Sequence, residues 1–248
     1  MKAQWGWVHE NYVGILTGSP FEPYQRTEAN IPLKKIELLA PVKPTKIIAV
    51  GRNYPEHAQE QQAEIPDRPL LFLKPPSSVI GPGETILLPP QSNQVEYEAE
   101  LAVVIGKRGR WIDINKIDEY ILGYCIANDV TARDIQNSDG QWTRAKGFDT
   151  FCPLGPWIET NLDPSDILIT SRLNDQIRQM TSTREMVFNI PQLVVYISSI
   201  MTLEPGDVIL SGTPAGVGGL GPGDTILISI EGIGELANGV AEDSRLRV

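Results

Sequence analysis

The chain has 248 residues, of which 41% are hydrophobic and 21% charged, a balance typical of a globular protein with a substantial core. Its net charge of −10 argues against nucleic acid and anionic membrane surfaces as partners, because both recruit clusters of Lys and Arg. No apolar run approaches the ~20 residues of a membrane span and the N-terminus lacks a signal-peptide core, so we expect a cytoplasmic protein.

The chain begins with short strand-like pieces separated by polar turns and reaches the linker-like PVKPT at 41–45. The compact apolar run KIIAVG, 46–51, ends in glycine and predicts a buried strand. The next segment, 52–69, is polar, with a helix-competent centre and prolines towards both ends. We expect it to be an exposed excursion rather than part of the core.

The segment VEYEAELAVVIG, 95–106, places three glutamates at the start of an apolar strand. Strand alternation puts Glu96, Glu98 and Glu100 on one face. A buried carboxylate without compensation is very costly, so two interpretations remain. Either the first half of the strand lies in solvent, or Glu98 and Glu100 converge on a divalent cation that removes their repulsion.

A second apolar strand is predicted at the start of YILGYCIANDVTARDIQ, 120–136, and it stops abruptly at Asn128 and Asp129. Asp129 is well placed as a third oxygen ligand, and three carboxylates suit a hard cation such as Mg²⁺ or Mn²⁺. The alternative is that Asp129 caps the helix-like stretch that follows it. The sequence pattern alone leaves both interpretations open.

Three similar phrases, GPGETILLP, EPGDVILSG and GPGDTILIS, predict a Pro-Gly turn followed by a strand, with glycine at the positive-φ position. The segment NIPQLVVYISSIM, 189–201, is the clearest helix, with Asn189 as its N-cap and Leu193, Ile197 and Met201 on one face. Strands outnumber helices and do not alternate regularly with them. The pattern therefore favours a β-rich α+β fold over a doubly wound sheet.

Several of these segments resemble the fumarylacetoacetate hydrolase superfamily. GRNYPEHAQE, PLLFLKPPSSVIGPG, VEYEAELAVVIGK, GYCIANDVTARDIQ, KGFDTFCPLGPW, FNIPQLVVYIS and MTLEPGDVILSGTPAGVG occur in that order, from about Lys46 to Val240. The resemblance implies a mixed β-sandwich roll as a catalytic domain of residues 46–248, a small N-terminal module of residues 1–45, and a homodimer.

The resemblance also implies functional residues. Glu98, Glu100 and Asp129 would bind a divalent metal, usually Mg²⁺, whereas Glu96 stands where relatives often carry Asp and is not counted as a ligand. His57 and Glu60 would form an acid/base dyad on a mobile lid. Four further side chains would surround the substrate, with Lys146 among the catalytic groups: Arg133, Gln136, Lys146 and Thr213.

The chemistry of these residues is consistent without the family name. A divalent ion can hold a 2-oxo acid through its carboxylate and keto oxygens and stabilise the enolate left by C–C cleavage. His57 and Glu60, three apart on a helical turn, can interact, so that His57 takes a proton from water. The alternative is an exposed His–Glu pair on a solvated helix.

Positive charge is needed to attract an anionic substrate to a chain of net charge −10. Lys146 and Arg133 are candidates, although either can be an ordinary surface charge. The glycine-rich SGTPAGVG, 211–218, lacks the lysine and spacing of a P-loop. We interpret it as a loop that brings backbone amides and the Thr213 hydroxyl to a substrate carboxylate, with a plain turn as the alternative.

We therefore expect an enzyme that hydrolyses an acylpyruvate or decarboxylates oxaloacetate. The alternative within the family is a ring-cleavage pathway enzyme, a 2-hydroxyhepta-2,4-diene-1,7-dioate isomerase or 5-oxopent-3-ene-1,2,5-tricarboxylate decarboxylase. A third hypothesis is a binding protein that kept the fold and lost the chemistry. Specificity would reside in lid side chains such as Gln62, Asp67 and Arg68. The aromatic residues of 142–157 suggest a surface that a homodimer buries.

Overall fold

The computed structural model describes residues 3–244. The chain divides between Leu38 and Leu39 into two compact units. The N-terminal unit is a three-stranded antiparallel sheet of β1 (Gly6–His9), β2 (Tyr12–Ile15) and β3 (Ile31–Pro32). The Trp7 indole nitrogen donates to the Thr27 carbonyl at 2.9 Å, which ties this sheet to the loop that follows β2.

The larger unit is built mainly of strands. In chain order they are β4 (Ile47–Gly51), β5 (Leu70–Lys74), β6 (Val79–Ile80), β7 (Ile86–Leu88), β8 (Val95–Tyr97), β9 (Ala99–Ile105), β10 (Ile121–Asn128), β11 (Thr131–Ala132), β12 (Cys152–Glu159), β13 (Leu168–Leu173), β14 (Gln176–Ser182), β15 (Val208–Leu210), β16 (Gly218–Gly219), β17 (Thr225–Ile230) and β18 (Gly234–Glu242). The helices of its described part are α1 (Pro55–Glu60), α2 (Arg133–Ser138), α3 (Thr143–Lys146) and α4 (Ile190–Ile200).

Three sheets share one hydrophobic core in this unit. The first has seven strands in the order β5-β4-β15-β9-β10-β12-β6, the second five in the order β14-β13-β17-β18-β7, and the third is the short sheet β11-β8-β16. Strands β9, β10 and β12 contact β13, β17 and β18 of the five-stranded sheet. This arrangement confirms the predicted β-rich α+β sandwich roll. Within residues 3–244, no helix combines the length and apolar character that a membrane span requires.

Several local predictions are confirmed. The run at 46–51 is strand β4, which is buried except at its terminal glycine. Helix α4 has Asn189 as its N-cap, completed by a reciprocal capping box with Gln192. The turn glycines Gly83, Gly206 and Gly223 have φ values of 75°, 87° and 89°, the positive φ that the repeated Pro-Gly phrase predicts.

The expectation that 52–69 is an exposed excursion is wrong for its first half. Asn53 and Tyr54 are almost fully buried. The Asn53 amide donates to the Ser211 carbonyl at 2.8 Å and to the Phe188 carbonyl at 3.0 Å, and its oxygen accepts from the Phe188 amide at 2.8 Å. This segment is thus anchored by the hydrogen bonds of Asn53 and by the buried ring of Tyr54, and it is mainly the stretch 59–69 that is exposed.

The aromatic side chains of 142–157 do not form the exposed patch that the sequence suggests. Phe151 is fully buried, and Phe148 packs against it with ring centroids 5.2 Å apart. Trp142 packs edge-on against Phe72, also at 5.2 Å. These contacts lie within the chain, so the aromatic content of the segment is no longer an argument for a dimer.

Candidate active site

Two strand ends bring the predicted metal ligands together. Glu98 lies in the break between β8 and β9, and Asp129 follows the last residue of β10. The Glu98 amide donates to the Asn128 side-chain oxygen at 2.9 Å, and the Asp129 amide donates to the Glu98 carbonyl at 2.9 Å. As a result, one carboxylate oxygen each of Glu98, Glu100 and Asp129 lies within 4.8 Å of the others.

The burial of this triad decides between the alternatives that the sequence left open. Strand β9 is buried on both faces, so the interpretation that the glutamates lie in solvent is wrong. Helix α2 begins at Arg133, with Ala132 as its N-cap and no side-chain cap. Asp129 is therefore not a helix cap, and its carboxylate interacts with lysine side chains instead.

Two buried lysines compensate the triad. Lys146 Nζ donates to Glu98 Oε2 at 2.7 Å and to Asp129 Oδ2 at 2.6 Å. Lys74 Nζ donates to Asp129 Oδ1 at 2.6 Å and to the Val130 carbonyl at 3.3 Å. The sequence analysis missed Lys74. The sequence feature that could have identified Lys74 is its place as the single cation at the end of the apolar strand LLFLK. A charge that ends a strand inside the fold needs a buried partner.

Arg133 links the triad to the remaining glutamate. Its Nε donates to Glu96 Oε2 at 2.7 Å, and its Nη2 donates to Glu98 Oε1 at 2.5 Å. The guanidinium also hydrogen bonds to the Gln136 side-chain oxygen. Glu96 is thus paired with Arg133 and lies outside the triad, which agrees with its omission from the predicted ligands.

The pKa values of Glu98 and Glu100 are shifted in opposite directions. Burial alone would raise the pKa of Glu98, but Lys146 and Arg133 outweigh it and hold that pKa well below its usual range. Burial, together with the charges of Asp129 and Glu98, raises the pKa of Glu100 well above its usual value. Glu100 makes no ion pair within the described residues, and its Oε2 accepts only a hydrogen bond from the Gly212 amide, at 2.7 Å.

This donor set fits a hard divalent cation. Three buried carboxylates face one another, and within the described residues lysine forms ion pairs with Glu98 and Asp129 but not with Glu100. An ion of charge +2 supplies the positive charge that Glu100 lacks, and carboxylate oxygens are the ligands that Mg²⁺ and Mn²⁺ prefer.

His57 is held at the same cavity by a carboxylate. Its Nδ1 lies 3.0 Å from Glu60 Oε2, and Glu60 Oε1 accepts from the Gly216 amide at 3.1 Å. An ionised Glu60 is only an acceptor, so this contact places the ring proton on Nδ1 and leaves Nε2 as a base. His57 is buried, not on an exposed helix face, and the interpretation as a solvated His–Glu pair is wrong.

The hydroxyl of Thr213 is already engaged by the protein. It donates to the Ala99 carbonyl at 2.9 Å and accepts from the Gln179 amide at 2.8 Å. The Gln179 oxygen in turn accepts from the Ala99 amide at 3.1 Å. The role that this geometry indicates for the hydroxyl is to fix the start of β9, although the Thr213 side chain does border the cavity.

A single cavity of about 250 Å³ joins these groups. Eight of the nine predicted site residues line it, and Glu60 supports His57 from outside the lining. The lining also includes residues that the sequence analysis did not single out: Val50, Gly51, Arg52, Gln61, Phe72, Asn137 and Trp142. These were missed because nothing in their local pattern marks them. Val50, Gly51 and Phe72 are brought together by the pairing of β4 with β5, Asn137 comes from α2, and Arg52, Gln61 and Trp142 come from segments outside the strands.

Loss of Lys74 should be costly for stability. In Lys74→Met, Asp129 keeps only Lys146 as a buried cation, and we expect the free energy of unfolding of the metal-free protein to fall by about 3 kcal/mol in urea denaturation. Lys107→Met is the matched control, because the Lys107–Glu119 pair at 3.3 Å is exposed and should contribute less than about 1 kcal/mol. Equal stability of the two variants would contradict a compensating role for Lys74.

Known proteins share this architecture. The family model described as fumarylacetoacetate (FAA) hydrolase C-terminal matches residues 46–241, and a model described as Rv2993c-like, N-terminal, matches residues 2–41. The mitochondrial oxaloacetate tautomerase Fahd2a of Rattus norvegicus is 44% identical over 222 residues, which cover 85% of this chain and 71% of the relative.

Solved structures give the same result. The 5-carboxymethyl-2-hydroxymuconate delta-isomerase of Mycobacterium smegmatis superposes with a TM-score of 0.89 at 45% identity, over 97% of this chain and 94% of the other. The maleylpyruvate hydrolase of Sphingobium sp. SYK-6, solved with manganese(II) and pyruvate, gives 0.76 at 37% identity, over 89% and 78% of the two chains. With a family model that spans residues 46–241 and relatives this similar along most of their length, the chain belongs to the fumarylacetoacetate hydrolase family of enzymes.

Proposed function

We propose that this protein is an enzyme that uses Mg²⁺ or Mn²⁺ to convert a small 2-oxo acid. The observation that carries the proposal is the buried triad of Glu98, Glu100 and Asp129, in which Glu100 forms no ion pair with any residue that the structure describes. These three residues would hold the ion. When bound, the ion would hold the carboxylate and keto oxygens of the substrate and stabilise negative charge on the keto oxygen.

The side chains around the triad would divide the remaining work. Lys146 and Arg133 line the cavity beside the carboxylates and would attract the anionic end of the substrate. Gln136 hydrogen bonds to Arg133 and would fix the direction of its guanidinium. His57, with Nε2 free, would remove a proton from water or from the substrate, and Glu60 would stabilise the imidazolium that forms.

The reaction we place first is cleavage of a C–C bond, by hydrolysis of an acylpyruvate or decarboxylation of oxaloacetate. The maleylpyruvate hydrolase of Sphingobium, which was solved with manganese(II) and pyruvate, supports hydrolysis. The second candidate is proton transfer within an oxo acid or unsaturated dioate, as in an isomerase or tautomerase. The names of the Rattus and M. smegmatis relatives favour it. A binding protein without activity is the minor alternative.

An assay panel would test the proposal. Acylpyruvates, oxaloacetate and 2-hydroxymuconate-type dioates would each be incubated with the protein after EDTA treatment, and again with added Mg²⁺ or Mn²⁺. We expect turnover of at least one substrate class that depends on added metal. Turnover that EDTA leaves unchanged, or none with any 2-oxo acid, would contradict the proposal.

We further propose that the protein is a homodimer with a small-molecule substrate and neither nucleic acid nor membrane as a partner. The family membership supports the homodimer, and the net charge of −10 argues against nucleic acid and membrane as partners. The aromatic residues of 142–157 add no support for a dimer, because Trp142 and Phe148 have ring partners within the chain. Light scattering at micromolar concentration should report twice the chain mass of 27.3 kDa. A monomer under these conditions would contradict the proposal.

We also expect a ligand-dependent change in the exposed stretch 59–69. His57 already lies at the cavity, and the buried Asn53 anchors the start of the segment, so only the later part can open at low free-energy cost. Amide exchange at 59–69 should slow when oxalate, an enolate mimic, and Mg²⁺ are added together, and much less with Mg²⁺ alone. The amide of the buried Ala58 serves as an internal control, because it donates to the Tyr54 carbonyl at 3.0 Å and should be protected throughout.

A further inference from the structure

One cation in the cavity lining has no acid partner. Lys146 and Arg133 are both paired with the carboxylates of the site. Arg52 also lines the cavity, but within residues 3–244 no carboxylate lies within ion-pair distance of it. A guanidinium is always charged at physiological pH and presents donors that match a carboxylate, so it is available to an anion from outside the protein.

The position of Arg52 is set by its neighbours. Its guanidinium lies 6.0 Å from the centroid of Trp142, at the outer limit of a cation–π contact. The indole packs against Gly51, where an added Cβ would come within 2.7 Å of a ring carbon. Arg52 itself has φ of 57°, an uncommon conformation for a residue other than glycine. The left-handed backbone conformation of Arg52 therefore costs the folded state roughly 1 kcal/mol.

Two aromatic side chains connect Arg52 to Lys146. Trp142 contacts Phe72 with centroids 5.2 Å apart, Lys146 Nζ lies 5.0 Å from the Phe72 centroid, and the Arg52 guanidinium lies 6.0 Å from the Trp142 centroid. The cavity lining thus holds two cations, Lys146 and Arg52, with an aromatic pair in contact with both. An aromatic pair in contact with two cations suits a short carbon chain with an anionic group at each end.

The charge balance of the site leads to the same class of ligand. With Glu100 ionised, as it would be beside a bound ion, four buried acids meet three buried cations around the triad, so the protein groups carry one negative charge. A bound divalent ion turns this into one positive charge, which the carboxylate of a 2-oxo acid neutralises. The charge of Arg52 is then still uncompensated, and a second carboxylate on the substrate would neutralise it.

We propose that Arg52 determines specificity by binding the distal carboxylate of a 2-oxo dicarboxylic acid, with Trp142 and Phe72 in contact with the carbon chain between the two ends. This inference rests on the proposed function and names the substrate class within it. A monocarboxylic acid of the same length would bind at the triad but would leave Arg52 without a partner.

Pairs of ligands that have the same chain length and differ in the second carboxylate would measure the contribution of that carboxylate to binding. Binding of 2-oxoglutarate and of 2-oxopentanoate, which share a five-carbon chain, would be measured by calorimetry on the Mn²⁺-loaded protein. The six-carbon pair 2-oxoadipate and 2-oxohexanoate covers a longer reach. We expect the dicarboxylate of at least one pair to bind ten-fold or more tightly than its partner, the value of one charge-assisted hydrogen bond. Arg52→Met should remove this preference and leave the affinity for the monocarboxylates unchanged.

Two variants serve as controls. Arg52→Lys keeps the charge and should keep part of the preference. Arg172→Met removes a positive charge from an exposed position on β13, outside the cavity lining and outside 59–69, and should behave like the wild type. Unchanged Mn²⁺ affinity and unfolding temperature would show that Arg52→Met is folded.

The possible failures are distinguishable. Equal binding of both members of both pairs to the wild type, or a preference that survives in Arg52→Met, would overturn the role of Arg52 and leave the proposed function intact. If no 2-oxo acid binds the Mn²⁺-loaded wild type, or if binding does not depend on the metal, the proposed function fails and the specificity inference fails with it.

Discussion

Glu100→Gln is expected to abolish tight Mn²⁺ binding, with an affinity loss of at least about 100-fold, because removal of a ligand should exceed the 10- to 100-fold cost of losing a residue that only supports one. The physical reason is that Glu100 contributes the one triad carboxylate that forms no ion pair with the described residues 3–244. Its negative charge becomes favourable only when an ion is present. Calorimetry or electron paramagnetic resonance of Mn²⁺ would measure the loss.

Glu96→Gln is the matched control. Glu96 precedes the triad on the same segment and is also a buried glutamate, but it is paired with Arg133. Its replacement removes the same charge and should lower Mn²⁺ affinity by only about ten-fold, the lower end of the 10- to 100-fold cost of a supporting residue, because Glu96 is linked to Glu98 only through Arg133. Equal losses in the two variants would show that the net charge of the site, and not a ligand at Glu100, governs metal binding.

The effect of Glu100→Gln on stability separates loss of a ligand from loss of the fold. The pKa of Glu100 is raised by burial and by Asp129 and Glu98, so its protonated form is favoured in the folded chain. A raised carboxyl pKa stabilises the fold at low pH, and this contribution is lost as pH rises through the folded-state pKa. In EDTA, Glu100→Gln should therefore be at least as stable as the wild type, with an advantage that grows as pH rises. Thermal unfolding at several pH values would measure this trend.

The fold could be predicted where local sequence determines conformation. Helix α4 follows from a cap, a proline in the first turn and an apolar face, and the turn glycines follow from the positive φ that other residues avoid. The triad could be predicted from the sequence for a related reason. Alternation places Glu98 and Glu100 on one face, and the abrupt polar end of β10 marks Asp129.

The burial of Asn53 and its neighbour Tyr54 could not be predicted, because its cause lies far away in the sequence. Asn53 is polar and was interpreted as exposed, yet its partners are the backbone groups of Phe188 and Ser211, more than a hundred residues later. Lys74 was missed for the same reason, since its partner is Asp129 on another strand. A prediction of burial from composition relies on apolar side chains, whereas Asn53 and Lys74 are polar and are buried because the fold supplies hydrogen-bond partners for them.

His57→Ala is expected to separate the candidate reactions. Hydrolysis of an acylpyruvate needs a proton removed from water, so loss of the base should lower its kcat by about 10²- to 10⁴-fold. Decarboxylation of oxaloacetate needs little beyond the metal, and its rate should fall by less than about ten-fold because no proton must be removed. Tautomerisation of oxaloacetate requires proton transfer and should fall with hydrolysis. Ultraviolet absorbance and coupled pyruvate assays would follow these reactions.

His9→Ala is the control for this variant, since His9 is the other histidine of the chain and lies in the N-terminal sheet. Glu60→Gln tests the support of the ring, because Glu60 contacts Nδ1 and holds the proton there while Nε2 acts. Its activity should lie between those of His57→Ala and the wild type, with unchanged Mn²⁺ affinity. If His57→Ala lost hydrolysis and decarboxylation equally while metal binding was preserved, His57 would be a positioning group rather than the base that activates water.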